Sequence, residues 1–407
     1  MAPYESEDST NAGEADDLRV GRRRAARYIV PVTVVGVAAA TIGLVPALAD
    51  SGDPSLPKIS AQQLIEKIAA SDVQQLSGTV KITTDLGLPD LGGLESGLLS
   101  GATQNGDGGS SADPSSKLME LAAGTHTLRV AADGPDRQKL SLLENAAEYS
   151  VIHDGKDVWG YDSKSNEVYH ATEPGGAEAQ RKREDVPATP KDLTEEALKS
   201  VDETTSVAVD GTAQIAGRDA YRLVIKPKQA GSTVGAISVA VDAKTGLPLK
   251  FTLTPSSGGA AVIDAGFTQV SFARPAASTF DFTPPKGAKV TEDGAGSDGG
   301  TEHAPRYRKS EGDVTKGEGL DGLKVIGKGW NSVATFETGG EGLPTGSSGG
   351  GDLGGFLGSL GDHVTGKFGS GTVFSTRLIN ALATDDGKLY VGAVSKDTLV
   401  KAANAGK

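Results

Sequence analysis

The chain has 407 residues, among them 56 glycines, 19 prolines and no cysteine, and its 53 acidic and 40 basic residues leave a net charge of −13. The missing cysteine excludes disulfides, thiolate metal sites, cysteine nucleophiles and a lipid-modified N-terminal cysteine. The acidic balance argues against nucleic acid as a partner, because phosphate contacts need clustered Lys and Arg.

Residues 1–27 are polar and acidic and end in the basic knot Arg22, Arg23, Arg24 and Arg27, which reads as a disordered cytoplasmic n-region. Residues 28–49 carry no charge. A bilayer needs about 20 apolar residues, so this stretch is long enough to cross one. The basic flank stays inside, and everything after Asp50 lies outside. Ala47-Leu48-Ala49 suits cleavage at small residues. The segment is therefore either a cleaved signal peptide or a retained anchor on the outer face of the cytoplasmic membrane.

The spacing of Ala61, Leu64, Ile65, Ile68 and Ala69 predicts a helix over Ser60–Asp72, opened by a Ser60/Gln63 capping box. From Val80 to Phe282 the dominant period is two. Apolar residues alternate with Lys, Arg, Thr, Ser or Asp around Val80, Leu128, Leu140, Tyr149, Trp159, Val168, Val207, Tyr221, Ile237, Leu249 and Phe267, with a last strand expected at Phe280–Thr283. Asp154-Gly155 is a tight-hairpin signal. A short helix is expected over Pro190–Ser200. About eleven short strands joined mostly by hairpins make an antiparallel sheet, since parallel neighbours need long crossovers.

Such a sheet has one apolar face, which must be covered. The fold class expected is mainly β (α+β): an open, curved antiparallel half-barrel over residues 50–290, lidded by the two helices. Residues 291–322 read as a flexible linker, and residues 323–407 as a small C-terminal α+β unit. In that unit a strand is expected within Trp330–Phe336, a hairpin around Asp385-Asp386-Gly387 and a terminal helix over Lys396–Ala403. Two Gly/Leu-rich insertions, 87–116 and 339–361, interrupt the pattern.

Motifs for catalysis are missing from the sequence. His126, His153, His170, His303 and His363 lack the spacing of a helical metal pair, and no Walker loop occurs. Asp154, Asp157 and Asp162 fit no calcium loop and read as turn and edge residues. The expectation is a binding protein without enzymatic activity, metal or cofactor. An apolar concave face suits acyl chains, because burial of apolar surface alone drives their binding. The wall of such a cavity is expected from Val80, Ile82, Leu128, Val130, Leu140, Leu142, Tyr149, Val151, Trp159, Tyr161, Tyr221, Leu223, Ile225, Ile237, Val239, Leu249 and Phe251. The same residues could equally form an ordinary filled core.

Several stretches resemble LolA-like proteins: ISAQQLIEKIAASDVQQLSGTV at Ile59–Val80, AGRDAYRLVIKP at Ala216–Pro227, ISVAVDAKTGLPLKFTL at Ile237–Leu253 and FDFTPPKGAKV at Phe280–Val290. The superfamily includes the LolA and LolB lipoprotein carriers and the RseB/MucB regulators of envelope stress. The resemblance implies an eleven-stranded half-barrel whose cavity holds acyl chains of lipid or lipoprotein. The second unit is more like the two-domain regulators, which implies an anti-sigma factor as an alternative partner. The insertion at 87–116 departs from the carrier pattern, and no functional side chain of the family maps onto a residue here.

Overall fold

The computed structural model describes residues 54–87, 112–114, 117, 121, 123–172, 189–292, 324–337 and 361–406. The expected leader and anchor at 1–49, nearly all of both Gly/Leu-rich insertions and all of the linker beyond Glu292 lie outside the described residues. No described helix is long and apolar enough to cross a membrane.

Twelve strands build the first sheet. They are β1 (Gln75–Thr84), β2 (Gly124–Asp133), β3 (Arg137–Glu144), β4 (Ala147–Asp154), β5 (Asp157–Asp162), β6 (Glu167–Thr172), β7 (Thr205–Ile215), β8 (Arg218–Pro227), β9 (Val234–Asp242), β10 (Pro248–Pro255), β11 (Ile263–Ser271) and β12 (Lys289–Glu292). Their order is β12-β6-β5-β4-β3-β2-β1-β11-β10-β9-β8-β7. Two meanders, β1–β6 and β7–β11, thus meet where β1 pairs with β11. The edge strands β12 and β7 do not pair with each other, so the sheet is open, mainly antiparallel and not a closed barrel.

The end of this sheet departs from the sequence expectation. Phe280–Thr283 is not a strand. After β11 the chain returns through a 3-10 turn at Ala277–Thr279 and then adds β12, which runs parallel to β6 and pairs Val290 with Val168. Two prolines, Pro284 and Pro285, explain the difference, since proline cannot donate to a ladder. The first sheet consequently reaches Glu292, two residues past the expected end of the domain.

Helix α1 (Ala61–Ala69) starts at the expected capping box: Ser60 Oγ accepts from Gln63 N at 3.2 Å, and Ser60 N donates to Gln63 Oε1 at 3.0 Å. Leu64 and Ile68, one turn apart, are buried. Each contributes roughly 1.5–3 kcal/mol relative to exposure. Helix α2 (Pro190–Lys199) is capped by Thr189, which makes a second box with Asp192, and has its proline at the first helical position, where no donor is lost. Helix α1 lies on β7 and β8, and α2 chiefly on β10.

The second sheet has the order β13-β14-β18-β17-β16-β15, all antiparallel, from β13 (Lys324–Ile326), β14 (Val333–Glu337), β15 (Asp362–Gly366), β16 (Gly369–Ser375), β17 (Asn380–Thr384) and β18 (Lys388–Gly392). Helix α3 (Lys396–Ala405) covers it through Leu399, Ala402 and Ala403. Both sheets belong to one compact unit, Leu56–Lys407. Thr233 N donates to Ala393 O at 3.0 Å and Ser395 N to Gly231 O at 2.7 Å, while Leu378 enters the core of the first sheet.

Candidate functional site: the apolar inner face

Register decides which expected wall residues share a face. Across β11, β1, β2, β3 and β4 one row runs Phe267, Val80, Leu128, Leu142, Tyr149. The next row of the same face runs Gly78, Val130, Leu140, Val151, Gly160. In the other meander Tyr221, Leu223 and Ile225 of β8 oppose Val241, Val239 and Ile237 of β9, and Val239 opposes Phe251 of β10. Ile82 and Leu249 pack with the first group.

These residues form two clusters. Tyr221, Leu223, Ile225, Ile237, Val239 and Phe251 enclose Leu64 and Ile68 of α1, and Leu193 of α2 also packs there. That half is a filled core. Val80, Ile82, Leu128, Leu142, Tyr149 and Leu249 form the second cluster with Leu121. Val130, Leu140 and Val151 pack at its margin and are only half-buried. A row of three aliphatic side chains is therefore left incompletely covered, on strands away from those on which the helices chiefly lie.

Trp159 and Tyr161 are not part of this face. Trp159 pairs with Ile152 and Tyr161 with Ser150, whereas the inner-face positions of β5 are Val158, Gly160 and Asp162. The expectation that both aromatics line the cavity is corrected. The physical reason is a second apolar cover: the return segment after β11 places Phe282 against both rings, with centroids 5.5 and 5.7 Å away. Phe280 is buried on that side under the Arg137 guanidinium. The repeated phenylalanines of Phe280-Asp281-Phe282 were the signal in the sequence that both faces carry apolar cover here.

Polar groups frame the inner face. Tyr149 donates its hydroxyl to Ala112 O at 3.0 Å. Burial, then the charges of Asp113 and Asp162, push its pKa far above the ordinary phenol value. It thus stays a neutral donor. A side chain at Gly160 would run into that same Ala112 carbonyl, so glycine lets the chain at Ala112 approach the sheet. Lys117 pairs with Glu144 at 3.0 Å and reaches Asp162 at 3.9 Å.

At the other end, the turn after β9 holds α1 in place. Asp242, 1 % exposed, accepts from Arg218 at 2.5 and 3.1 Å and from Thr245 N at 2.7 Å. Burial opposes ionisation of Asp242, but these hydrogen bonds and the Arg218 charge outweigh it and hold the carboxyl below the usual range. Lys67 of α1 donates to Lys244 O at 3.3 Å. Gly246, at φ +77°, lies so close to the Lys67 carbonyl that no Cβ would fit. Among the described residues no group of His, Asp and Glu could hold a metal ion.

No protein-family model matches this chain, and no curated protein does. Solved structures that resemble it include MucB and a LolA-superfamily protein. MucB of Pseudomonas aeruginosa, in its complex with MucA, is 16% identical over 84% of this chain and 96% of that one, with a TM-score of 0.38. A LolA-superfamily protein of Nitrosomonas europaea is 11% identical over 55% of this chain and 99% of that one, with a TM-score of 0.22. An outer-membrane lipoprotein-sorting domain of Vibrio parahaemolyticus is 11% identical over 52% of this chain and 91% of that one, with a TM-score of 0.21.

Proposed function

We propose that this protein binds acyl chains of a lipid or lipoprotein on the outer side of the cytoplasmic membrane, without catalysing a reaction on them. One observation carries the reading. Val130, Leu140 and Val151 stand side by side in register, half-buried, on an inner face whose remaining wall residues are filled. An acyl chain laid along this row removes the rest of their surface from water, at about 25 cal/mol per Å². The filled half over β8–β10 serves as the rigid back of the site, and the margin over β2–β4 as its mouth.

The test is uptake of a fluorescent fatty acid by delipidated full-length protein. Micromolar uptake is expected, and Leu140→Asp or Val151→Asp lowers it because a charge in the row must be desolvated. Leu223→Asp is a poorer probe, since Leu223 is fully buried against the helices and its loss unfolds the site. Folded protein that takes up no probe overturns the reading.

A second reading is favoured by the docked second sheet. Leu378 and the backbone of Thr233 tie it to the first sheet, an arrangement a simple carrier does not need. On this reading the protein is an envelope sensor that binds a membrane-anchored anti-sigma factor, the partner class implied by the resemblance to RseB/MucB. Pull-down of a single-span anti-sigma protein, lost when the second sheet is removed, supports it. Recovery of lipid alone argues for the carrier.

A further inference from the structure

The face of the first sheet that turns away from the helices carries a pocket of its own. A cavity of about 460 Å³ lies over β1–β4 and β11, with Thr279 of the return segment at its side. Register builds its floor from two neighbouring rows. One runs Gln269, Thr79, Arg129, Ser141, and the next runs Ser271, Ser77, Ala131, Lys139. Side chains that alternate with the apolar row inside thus place two cations and several hydroxyls on one outer patch.

The charges there are not balanced. Arg129 faces Glu148 at 3.9 Å, and Glu148 already accepts from Ser150 Oγ at 2.9 Å. Ser150 is in turn 2.8 Å from Ser141 Oγ, so this carboxylate is anchored to the floor. Lys139 is half-buried, yet no carboxylate of the described residues lies within ion-pair distance of it. Next to it on the same face, Arg137 and Arg274 share the single carboxylate of Asp133 at 2.5 and 3.1 Å. Among the residues that line the cavity, two cations, Arg129 and Lys139, thus face one carboxylate, Glu148, on a chain of net charge −13. Half-burying an ammonium without a counter-charge costs free energy, and an anion in the cavity would remove that cost.

We propose that this outer pocket binds a small phosphate-class anion, with Lys139 and Arg129 supplying the charge and the hydroxyls of Ser77, Thr79 and Ser271 the neutral donors. The charged side chains of the site alternate with the acyl row and share only Val130 with it, so Lys139 and Arg129 can be changed without touching Leu140 or Val151. A free phosphomonoester and the headgroup of a phospholipid present the same chemistry.

Calorimetric titration of the full chain at low salt with inorganic phosphate and with glycerol 3-phosphate, beside co-sedimentation with phosphatidylglycerol and phosphatidylcholine vesicles, tests it. Saturable heat with either soluble probe, or sedimentation with the anionic vesicles only, is expected. Lys139→Met weakens that binding about tenfold through loss of one charge-assisted contact. Arg129→Gln is the second variant, should Lys139→Met melt early. Lys324→Met, in the second sheet, leaves binding unchanged. Soluble-probe binding identifies a free ligand, and vesicle binding alone a headgroup. The proposal fails if the wild-type chain binds neither, or if the folded Lys139 and Arg129 variants bind as tightly as wild type.

Discussion

Trp159 lies flat against His170, with ring centroids 3.7 Å apart and planes 11° from parallel, and His170 reaches from this stack to a carboxylate on either side. Its Nδ1 is 2.6 Å from Glu292 Oε2 and its Nε2 is 3.0 Å from Asp157 Oδ1. Only the imidazolium can donate from both nitrogens at once. The contact ties β12, the four-residue parallel strand at the edge, to β5 and β6.

This arrangement sets a pH dependence. Burial works against the charged ring, but the hydrogen bonds to Asp157 and Glu292 and their charges outweigh it, so the His170 pKa is raised. A raised folded-state pKa gives stability that is fully present below the unfolded value of about 6.5 and is lost as pH rises through the folded value. The protection factors of the Lys289–Glu292 amides, which are exchange rates corrected for intrinsic base catalysis, are therefore expected to fall from mildly acidic to alkaline pH, with a falling melting temperature. His170→Gln should flatten that slope. An unchanged slope in the variant would refute the assignment.

The same strand shows how far a sequence carries the fold. The Ser60/Gln63 capping box, the hairpins and the alternation of β1–β4 and β8–β10 were legible because each is local. β5 was not. Asp157-Val158-Trp159-Gly160-Tyr161-Asp162 has apolar residues at both parities, and size alone favoured the aromatics as the inner set. Which face took them was decided by Phe282, more than a hundred residues later, in a segment whose prolines prevent it from being the strand its phenylalanines suggest. The outer pocket was illegible for a related reason. Arg129 and Lys139 look like the ordinary solvated partners of Leu128 and Leu140, and only the register shows that they share one cavity.

The Arg218–Asp242 pair predicts an acid limit. The Asp242 carboxyl is held below its usual range, so its contribution is present above about pH 3.9 and is lost as pH falls through the folded value. Asp242→Asn leaves a partly buried guanidinium facing a neutral amide and opens the turn that grips α1. A loss of about 3 kcal/mol in urea denaturation at neutral pH is expected. The variant should also show a shallower loss of stability on acidification than wild type. Equal stability of the two proteins would mean the pair only breaks even with its desolvation.

Packing and capping contribute unequally to α1. Leu64 is fully buried in the cluster with Leu223 and Val239, so Leu64→Ala is expected to cost about 3 kcal/mol as the cavity fails to collapse. Ser60→Ala removes one cap and costs about 1 kcal/mol. Chemical denaturation of both variants checks the ratio. A larger loss at Ser60 would show that α1 is held by its own hydrogen bonds rather than by the sheet.

The contact between the sheets mixes a surface ion pair with a buried anchor, and the two should behave differently. Arg377 Nη1 is 2.6 Å from Asp85 Oδ2, and Arg377 also donates to the carbonyl of Ala260. Its backbone N donates to Leu86 O at 2.8 Å. Asp85 is largely exposed, so the ion pair is screened by water and contributes less than about 1 kcal/mol. The neighbouring Leu378 is buried in the core of the first sheet, and Thr233 donates its hydroxyl to the Leu378 carbonyl. Trp330 Nε1 donates to Thr205 Oγ1 at 2.8 Å nearby. Asp85→Asn, which removes the ion pair but leaves the Arg377 contacts to the backbone, should therefore barely move the melting temperature, whereas Leu378→Asp puts an unpaired charge into that core and should split one calorimetric transition into two. A single, lowered transition in Leu378→Asp would mean that neither sheet is stable without the other. In that case the helix-covered face of the first sheet depends on the second sheet for its own integrity.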